Sequence, residues 1–288
     1  MEKFLIKNAN FSGIDTDVET VLNLPVAGIY AGLMLRFLDS SGDEVAVATL
    51  KTEIDNITVR INGQEIIDHV GIEHLFALEQ FYMSCDGFTN QAGVLGIPFY
   101  PMEYIEEAPR VPFYIGMGDV TTFQIAITCA TITTVSAIEC YSLIGNNPSS
   151  AGKSKGLGSH IRLKQMGVNF SGTGDNEITS LPINPSMGYR ALHLYHTSGV
   201  MQKATVKINQ VNVRDNTPRE VIQYDNIAKR RQNQTSYESI CFNLDNQLGS
   251  FRPMKDVSDF RITPYWSSAV SGANYTMIRE EIHNLVSK

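Results

Sequence analysis

The chain has 288 residues, of which 43% are hydrophobic and 18% are charged, and its formal net charge is −7. This length suffices for two ordinary domains that together bury roughly 75% of the surface of the unfolded chain. The acidic balance argues against a protein that wraps nucleic acid, so no sequence-specific nucleic-acid partner is expected. The low charged fraction suggests that partner subunits cover part of the surface.

Nothing in the sequence predicts secretion or membrane insertion. Residues 1–11 contain two lysines but no apolar run of the kind found in a secretory leader. The most apolar stretch, Val26–Leu35, has ten residues and includes two glycines, which is too short to span a bilayer. We therefore expect a soluble protein that is made in the cytoplasm of the producing cell.

The first half is dominated by strand signals. β-branched residues alternate along Ile57–Ile61 and predict a strand. Leu75, Leu78 and Tyr82 have helical spacing and predict one helix after that strand. Phe123–Val135 is a long run of strand-forming residues, which predicts two strands or one strand bent by a bulge.

Two acidic sequences in this half could offer carboxylate oxygens to Ca²⁺. They are the turn Asp39–Glu44 and the sequence Asp15-x-Asp17-x-Glu19. Acidic turns are more often simply solvated, and both interpretations stay open. No other cofactor is predicted. The residues proposed for a calcium site are Asp39, Asp43 and Glu44.

The segment Gly96–Tyr114 contains four prolines, so it cannot form a central strand. It predicts a long and fairly stiff loop. Long loops on a rigid sandwich are where contacts with other molecules usually lie. The candidate contact residues of this loop are its aromatic side chains: Phe99, Tyr100, Tyr104 and Tyr114.

A flexible linker separates the two halves. Residues 145–160 contain four glycines and four serines without apolar periodicity. They divide the chain into a first domain at 1–146, a linker at 147–157 and a second domain at 158–288. The stretch Asn147–Ser154 is one residue away from a phosphate-binding P-loop, but it lacks the first glycine and no helix can follow it. We therefore interpret it as linker.

The second half repeats the same kinds of element. Gly188–His196 and Ala204–Ile208 alternate and predict strands. A helix is predicted to begin with Thr217 as its N-cap, Pro218 at its first position and Glu220 completing a capping box.

Two groups of residues stand out on this helix. Val221, Tyr224 and Ala228 share one face of it. Its end carries three basic residues that could meet phosphate head groups or an acidic neighbour, although they could equally be a solvated terminus that complements the helix dipole. These basic residues are Lys229, Arg230 and Arg231.

Four sequence blocks of the first half return in the same order in the second, at offsets that shrink from 159 to 137 residues. Such a long period excludes solenoid and propeller repeats and indicates a duplicated domain. The matched blocks are Asn10–Gly13 with Asn169–Gly172, Leu24–Pro25 with Leu181–Pro182, Thr58–Asn62 with Thr205–Asn209, and Met117–Ile125 with Met254–Ile262.

No catalytic or metal-binding motif emerges, so we do not expect an enzyme. His193 and His196 are three residues apart in a predicted strand and point to opposite faces, which argues against the metal site of a tandem cupin. The cysteines lie singly, without the spacing of metal ligands, and are expected to be buried or half-buried free thiols. They are Cys85, Cys129, Cys140 and Cys241.

The order of elements resembles the double jelly-roll major capsid proteins of membrane-containing icosahedral bacteriophages, the corticovirus type in particular. The resemblance spans nearly the whole chain, although its individual motifs are short. In the second half it rests on Leu181-Pro182, Gly188–Leu194, Val206–Asn209 and the helix from Pro218. In the first half it rests on Leu24-Pro25, Tyr30, Val59–Gly63 and the helix after them.

This resemblance implies an all-β fold of two tandem eight-stranded jelly-roll sandwiches, each with one short inserted helix. It also implies a structural coat protein whose copies form trimers with six nearly equivalent lobes, which then tile a shell. Its partners would be further copies, other capsid proteins and, peripherally, an internal viral membrane. The expected location is the virion.

The alternative is a tandem β-sandwich that binds carbohydrate, such as a lectin-like or receptor-binding module. Sugar platforms favour exposed tryptophan and tyrosine. The single tryptophan, Trp266, lies in a predicted strand, where core packing is the more common role.

Overall fold

The computed structural model describes residues 3–86, 93–101, 110–145, 156–170, 172–197, 199–242, 251–268 and 274–283. The chain divides into two compact units, Met1–Lys164 and Gln165–Lys288. Each unit has its own hydrophobic core.

The first unit is built mainly from strands, because β-branched and aromatic residues alternate along most of its segments. Its elements in chain order are β1 (Lys3–Lys7), β2 (Glu19–Asn23), β3 (Ile29–Leu38), α1 (Val47–Glu53), β4 (Ile54–Ile61), β5 (Gln64–Gly71), α2 (Ile72–Asp86), β6 (Val94–Pro98), a 3₁₀ turn (Val111–Phe113), β7 (Ile115–Gly116), β8 (Phe123–Cys129) and β9 (Ala137–Gly145).

The second unit repeats this plan. Its first strand begins before the unit boundary, and the part of this strand that lies in the first unit pairs in parallel with β5 through Leu163 and Lys164. Its elements are β10 (His160–Asn169), β11 (Gly174–Asp175), β12 (Gly188–Tyr195), β13 (Val200–Ile208), β14 (Val211–Pro218), α3 (Arg219–Ala228), β15 (Tyr237–Cys241), β16 (Arg252–Pro253), β17 (Phe260–Ser268) and β18 (Asn274–His283).

The strand order is the same in both units. In the first unit, one sheet has the order β1-β9-β3-β6 and the other β2-β8-β4-β5. In the second unit, the corresponding orders are β10-β18-β12-β15 and β11-β17-β13-β14. A helix follows the fourth strand of the second sheet in each case, α2 after β5 and α3 after β14. This is the all-β sandwich architecture predicted from the sequence.

The repeated sequence blocks make equivalent contacts in the two cores. The Tyr30 hydroxyl donates to the Pro25 carbonyl oxygen at 2.7 Å, and its ring lies 4.8 Å from that of Phe123. In the second unit, the Tyr189 hydroxyl donates to the Pro182 carbonyl oxygen at 2.8 Å. Each tyrosine thus ties its buried strand to the loop before it.

Several predicted elements differ from the structure. The first unit contains α1 in addition to α2, so the prediction of one helix in each half is wrong for this unit. The first half is longer between Pro25 and Thr58 than the second half is between the matching residues, and α1 occupies part of that extra length. Pro98 ends the edge strand β6, so the loop predicted from Gly96 begins later.

The predicted run Phe123–Val135 is a strand only as far as Cys129. The backbone N–H groups of Ile132, Thr134 and Val135 donate to side chains instead of to a neighbouring strand. The Glu53 carboxylate accepts hydrogen bonds from the backbone N–H groups of Thr134 and Val135, both at 2.8 Å. The prediction of a continued strand is wrong because one buried side chain satisfies the donors that a strand partner would otherwise accept.

The start of α3 also differs from the prediction. Thr217 pairs with Ala204 inside the sheet, and Pro218 is the N-cap residue, with no side-chain hydrogen bond at the cap. The predicted capping box is therefore wrong. The helix begins where the strand's hydrogen bonding stops, and the fixed φ of proline suits that position.

Candidate assembly surfaces

An apolar groove lies on the outer face of the sheet β1-β9-β3-β6. Along β3, Leu33 and Leu35 are buried in the core, so alternate residues such as Gly32 and Met34 face outward. The groove has a volume of about 110 Å³. We call it the sheet groove, and its outward-facing residues are Leu5, Gly32, Met34, Gly96, Pro98, Tyr100 and Leu143.

Glycines on neighbouring strands create this depression. Gly32 stands opposite both Leu143 and Pro98 in the sheet, and Gly96 stands opposite Met34. A Cβ atom at Gly32 would lie 2.9 Å from the carbonyl oxygen of Ile97, which is closer than real Cβ atoms come. Gly32 and Gly96 carry no side chains, so the floor at these positions is backbone, and the walls are apolar side chains.

The edge of the same sheet is also apolar. β1 is the outermost strand of the described sheet and pairs only with β9. Its residues Phe4, Leu5 and Ile6 are all exposed, Leu5 to 57%. An edge strand with three consecutive exposed apolar residues favours contact with another molecule, because soluble monomers usually protect such edges with charge or bulges.

Ion pairs border the groove. Lys7 Nζ lies 2.5 Å from Glu139, and Arg36 contacts Glu139 at 3.4 Å and Glu44 at 2.6 Å. The hydrogen bonds from Lys7 and Tyr141 hold the pKa of Glu139 below its usual value. The groove thus has an apolar floor and a charged border, as the core and rim of a protein interface do.

The second surface is the outer face of α3. Tyr224, Ile227 and Val221 are exposed to 71%, 62% and 50% respectively. They are spaced three residues apart, so they form one row along the helix. We call this row the helix ridge.

The inner face of α3 carries polar anchors. The Asn226 amide is buried and donates to the Ser239 carbonyl oxygen at 3.1 Å. Arg219 contacts the buried Glu238 carboxylate at 2.6 Å. Only Ile222 adds a buried apolar side chain from this helix. The helix is therefore held to its unit largely by polar contacts and turns most of its apolar side chains outward.

The aromatic residues predicted as loop contacts lie mostly in the core of the first unit. Phe99 packs 6.1 Å from Phe123, and Tyr100 packs 5.6 Å from Tyr114. Phe99 and Tyr114 are buried away from the groove, which corrects their prediction as contact residues, whereas Tyr100, although buried, lines the sheet groove. The edge strand β6 draws this segment onto the sandwich. Tyr104 lies outside the described residues.

The three basic residues after α3 have different surroundings. Lys229 is the C-cap and is partly exposed, and Arg230 is exposed with a positive φ of 60°. Arg231 is buried, and its backbone N–H donates to the Asn226 carbonyl oxygen at 2.9 Å. They therefore do not form one continuous basic surface.

The proposed calcium ligands are engaged in other contacts. Asp39 Oδ1 accepts hydrogen bonds from the backbone N–H groups of Ser41 at 2.8 Å and Asp43 at 3.0 Å. The Glu44 carboxylate pairs with Arg36, which lowers its pKa. Calcium binding at this turn stays a prediction.

The other acidic sequence, Asp15 to Glu19, also has local partners. Asp15 accepts from the backbone N–H of Thr16 at 2.7 Å, and Glu19 pairs with Arg60 at 3.3 Å. Calcium binding at this sequence likewise stays a prediction.

A different cluster has the spacing of metal ligands. Glu65, Asp68 and His69 each place one potential ligand atom within 4.8 Å of the others. Lys164 Nζ lies 2.6 Å from Asp68. Burial alone would raise the pKa of Asp68, but its hydrogen bonds with His69 and Lys164 outweigh burial and lower the pKa. A lysine already neutralises the carboxylate that a cation would need.

The two histidines considered for a cupin-type metal site are buried in the second unit. His193 Nδ1 lies 2.8 Å from the Ser239 hydroxyl, and the ring of His196 packs edge-on against Trp266. Trp266 is fully buried, which removes it as an exposed sugar platform. The P-loop-like stretch at 147–154 lies outside the described residues.

The cysteines with described side chains are buried thiols outside any disulfide, as expected. Burial raises the pKa of Cys140 to about 11. The side chain of Cys85 lies outside the described part of the chain. The buried cysteines are Cys129, Cys140 and Cys241.

No helix in the described part of the chain is long and apolar enough to cross a membrane. Two family models together match nearly the whole chain. The model of the viral coat protein P2 N-terminal domain matches residues 5–145, and that of the P2 C-terminal domain matches residues 161–285. The chain belongs to the viral coat protein P2 family. The coat protein function and the location in the virion follow from this membership.

Solved structures share the fold at low sequence identity. The crystal structure of the major capsid protein P2 from Bacteriophage PM2 has a TM-score of 0.79 at 14% identity and covers 100% of this chain and 99% of that one. The atomic structure of Sulfolobus Turreted Icosahedral Virus has a TM-score of 0.71 at 9% identity and covers 99% of this chain and 91% of that one. The PBCV-1 virus capsid has a TM-score of 0.64 at 7% identity and covers 97% of this chain and 92% of that one. No curated protein sequence matches. The coat protein therefore has the double jelly-roll fold.

The sequence indicated single residues of both surfaces, Tyr100 in the groove and Val221 and Tyr224 in the ridge, but not the surfaces themselves. Val221 and Tyr224 were recognised as one helix face, and that face points outward. Phe4–Ile6 is a short apolar run behind a lysine, and Gly32 and Gly96 interrupt apolar segments. The pairing of these glycines across a sheet depends on register, which a single sequence does not reveal.

Proposed function

We propose that this coat protein is the major capsid protein of a non-tailed icosahedral bacteriophage and that it assembles as a trimer. The observation that supports this most strongly is the identical strand order of the two units, each followed at the same point by a helix. Three such chains present six similar lobes, which can form a nearly hexagonal block. Blocks of that shape tile a closed shell.

The proposed mechanism is self-assembly without a catalytic step. Apolar surfaces on each chain are first covered within the trimer, and weaker contacts between trimers then build the shell. Weak contacts let misplaced trimers dissociate and rebind. The chain would be made in the host cytoplasm, where it would meet other capsid proteins and, at one end of the trimer, an internal viral membrane.

The mass of the purified protein in solution tests this proposal. Light scattering should give about three times the chain mass of 31.9 kDa, and this value should persist on dilution. Electron microscopy of concentrated samples should then show compact blocks with six lobes. A monomer at high concentration would contradict the proposal. Metal analysis and a glycan array would then test the enzymatic and carbohydrate-binding alternatives.

A further inference from the structure

We propose that the helix ridge of one copy packs into the sheet groove of a second copy. The inference rests on the proposed trimer and adds which surfaces meet in it. The ridge belongs to the second unit and consists of Val221, Tyr224 and Ile227. The groove belongs to the first unit and lies beside the exposed edge strand β1.

The ridge has the composition of a contact surface rather than a solvated helix face. An amphipathic helix of a monomer normally turns its apolar side inward. In α3, the buried Asn226 and the ion pair of Arg219 face the unit, whereas Tyr224 and Ile227 are more than half exposed. Covering these side chains would remove a large apolar area from water, which is the main favourable contribution to association.

The groove matches the ridge in apolar chemistry and in length. Its floor includes Gly32 and Gly96, which carry no side chains to fill it. Its walls include Leu5, Leu143 and Pro98, which are apolar like the ridge. A row of three side chains along a helix spans about 9 Å, which matches about three residues of an adjacent strand.

The occupant is a second copy because the two surfaces are complementary and a coat protein must bind its own copies. Charge supports the same choice. Lys229 and Arg230 end the helix that carries the ridge, whereas the turn after β3, the strand at the groove floor, carries Asp39 and Asp43 beside the ion pair of Arg36 and Glu44. Opposite charges beside an apolar contact orient the partners and suppress other pairings.

The proposed contact joins two different surfaces and is therefore heterologous. Each copy offers one ridge and one groove, so each binds two neighbours. A heterologous contact closes into a ring when the rotation between copies is a whole fraction of a turn. Three copies can thus satisfy every ridge and every groove.

Paired cysteine substitutions test the contact directly. We expect the double variant Leu5→Cys/Tyr224→Cys to form disulfide-linked dimers and trimers under mild oxidation. Each single variant should stay monomeric on a non-reducing denaturing gel, because a heterologous contact does not bring two copies of the same residue together. The native thiols with described side chains are buried and should not contribute. Cross-linking of either single variant, with none added by the double variant, would overturn the proposal.

Serine substitutions provide a second readout that does not depend on disulfide geometry. Tyr224→Ser and Leu5→Ser should each weaken association at least about tenfold, as loss of a central apolar contact does. Val21→Ser is the matched control, since Val21 is also exposed but lies on β2 in the other sheet. Circular dichroism should confirm that all three variants fold.

The outcomes separate the inference from the proposed function. If the wild-type protein is a trimer and neither serine variant weakens it, the ridge and groove do not meet and the inference is wrong. If the wild-type protein is a monomer, the proposed trimer is itself wrong. Weaker association in Tyr224→Ser and Leu5→Ser, with Val21→Ser unchanged, would support both.

Discussion

Asn62 in the first unit and Asn209 in the second make the same four hydrogen bonds. Each side-chain oxygen accepts two backbone N–H groups and one hydroxyl, from Thr121 and Thr122 or from Ser258 and Asp259, at 2.7–3.2 Å. Each amide nitrogen donates to a carbonyl oxygen at 3.1 Å. Both residues have a positive φ, 50° and 48°. The duplicated sequence therefore preserves, besides the strand pattern, an asparagine that holds the backbone of a turn by hydrogen bonds.

Replacing either asparagine by alanine should destabilise its unit by about 2 kcal/mol. The change removes four hydrogen bonds and places a Cβ-bearing residue without a compensating polar group in the left-handed region. Urea denaturation of Asn62→Ala and Asn209→Ala measures the loss. Asn62→Gly is the control, because it keeps the backbone conformation accessible and should lose less. Equal stability of wild type and Asn62→Ala would show that the turn does not depend on this side chain.

The buried tyrosine hydroxyls should contribute equally to the stability of the two units. Tyr30→Phe and Tyr189→Phe each remove one hydrogen bond to a proline carbonyl oxygen and leave the ring packing intact. Each change should lower the free energy of unfolding by about 1 kcal/mol. Thermal unfolding checks this. A loss confined to one unit would mean that the matching contacts differ in strength despite their equal geometry.

Glu53 should make stability depend on acidic pH. Burial alone would raise the pKa of its carboxyl, but hydrogen bonds from Thr133, Thr134 and Val135 outweigh burial and lower it. Because the folded pKa lies below the unfolded one, the contribution is present above about pH 4.5 and is lost as pH falls through the folded pKa.

Glu53→Gln should therefore lower the free energy of unfolding by about 2 kcal/mol at pH 7. The difference in this free energy between variant and wild type should shrink below pH 4. Urea unfolding at several pH values gives the comparison. A cost that stays constant down to pH 3 would mean that the charge of Glu53 is not the stabilising feature.

Glu79 should change the stability with pH in the opposite direction to Glu53. Burial raises the pKa of this carboxyl to about 7, and the hydrogen bond from the backbone at Gly96 lowers it only partly. A raised folded pKa means that the folded state binds more protons than the unfolded state, so wild-type stability should fall as pH rises from about 4.5 to 7.

Glu79→Gln removes this penalty. The variant should be more stable than wild type at pH 8, by at most about 3 kcal/mol, and the gain should be smaller at pH 5. Thermal unfolding of both proteins at the two pH values is the measurement. A gain of equal size at both values would point to better packing of the amide rather than to titration.

Repeats, alternation and composition predicted the duplication, the all-β class and strands β4, β12 and β13. They succeeded because the two faces of a half-buried strand leave a period of two in the sequence. The stretch after Cys129 failed because Glu53, which is distant in the sequence, binds its backbone. Propensity describes what a segment favours locally, and a tertiary hydrogen bond can reverse that preference.

The assembly surfaces were predictable only in part. The face of α3 that carries Val221 and Tyr224 was visible from its spacing, but the spacing does not say which side of a helix is buried. That depends on the polar groups that the sheet presents to it, Glu238 among them. The predictions for Phe99 and Tyr114 were wrong for a related reason, since the prolines around them do not prevent an edge strand from placing the segment against the core, whereas Tyr100 does line the sheet groove.

The buried thiols bear on the lifetime of the particle. A virion leaves the reducing interior of a cell and persists in oxygenated surroundings, where thiolates form disulfides or sulfur acids. Cys140, with a pKa of about 11, stays protonated and buried both inside the cell and after release. Cys129 and Cys241 are likewise buried. At these three positions the shell neither needs oxidation to become durable nor suffers from it.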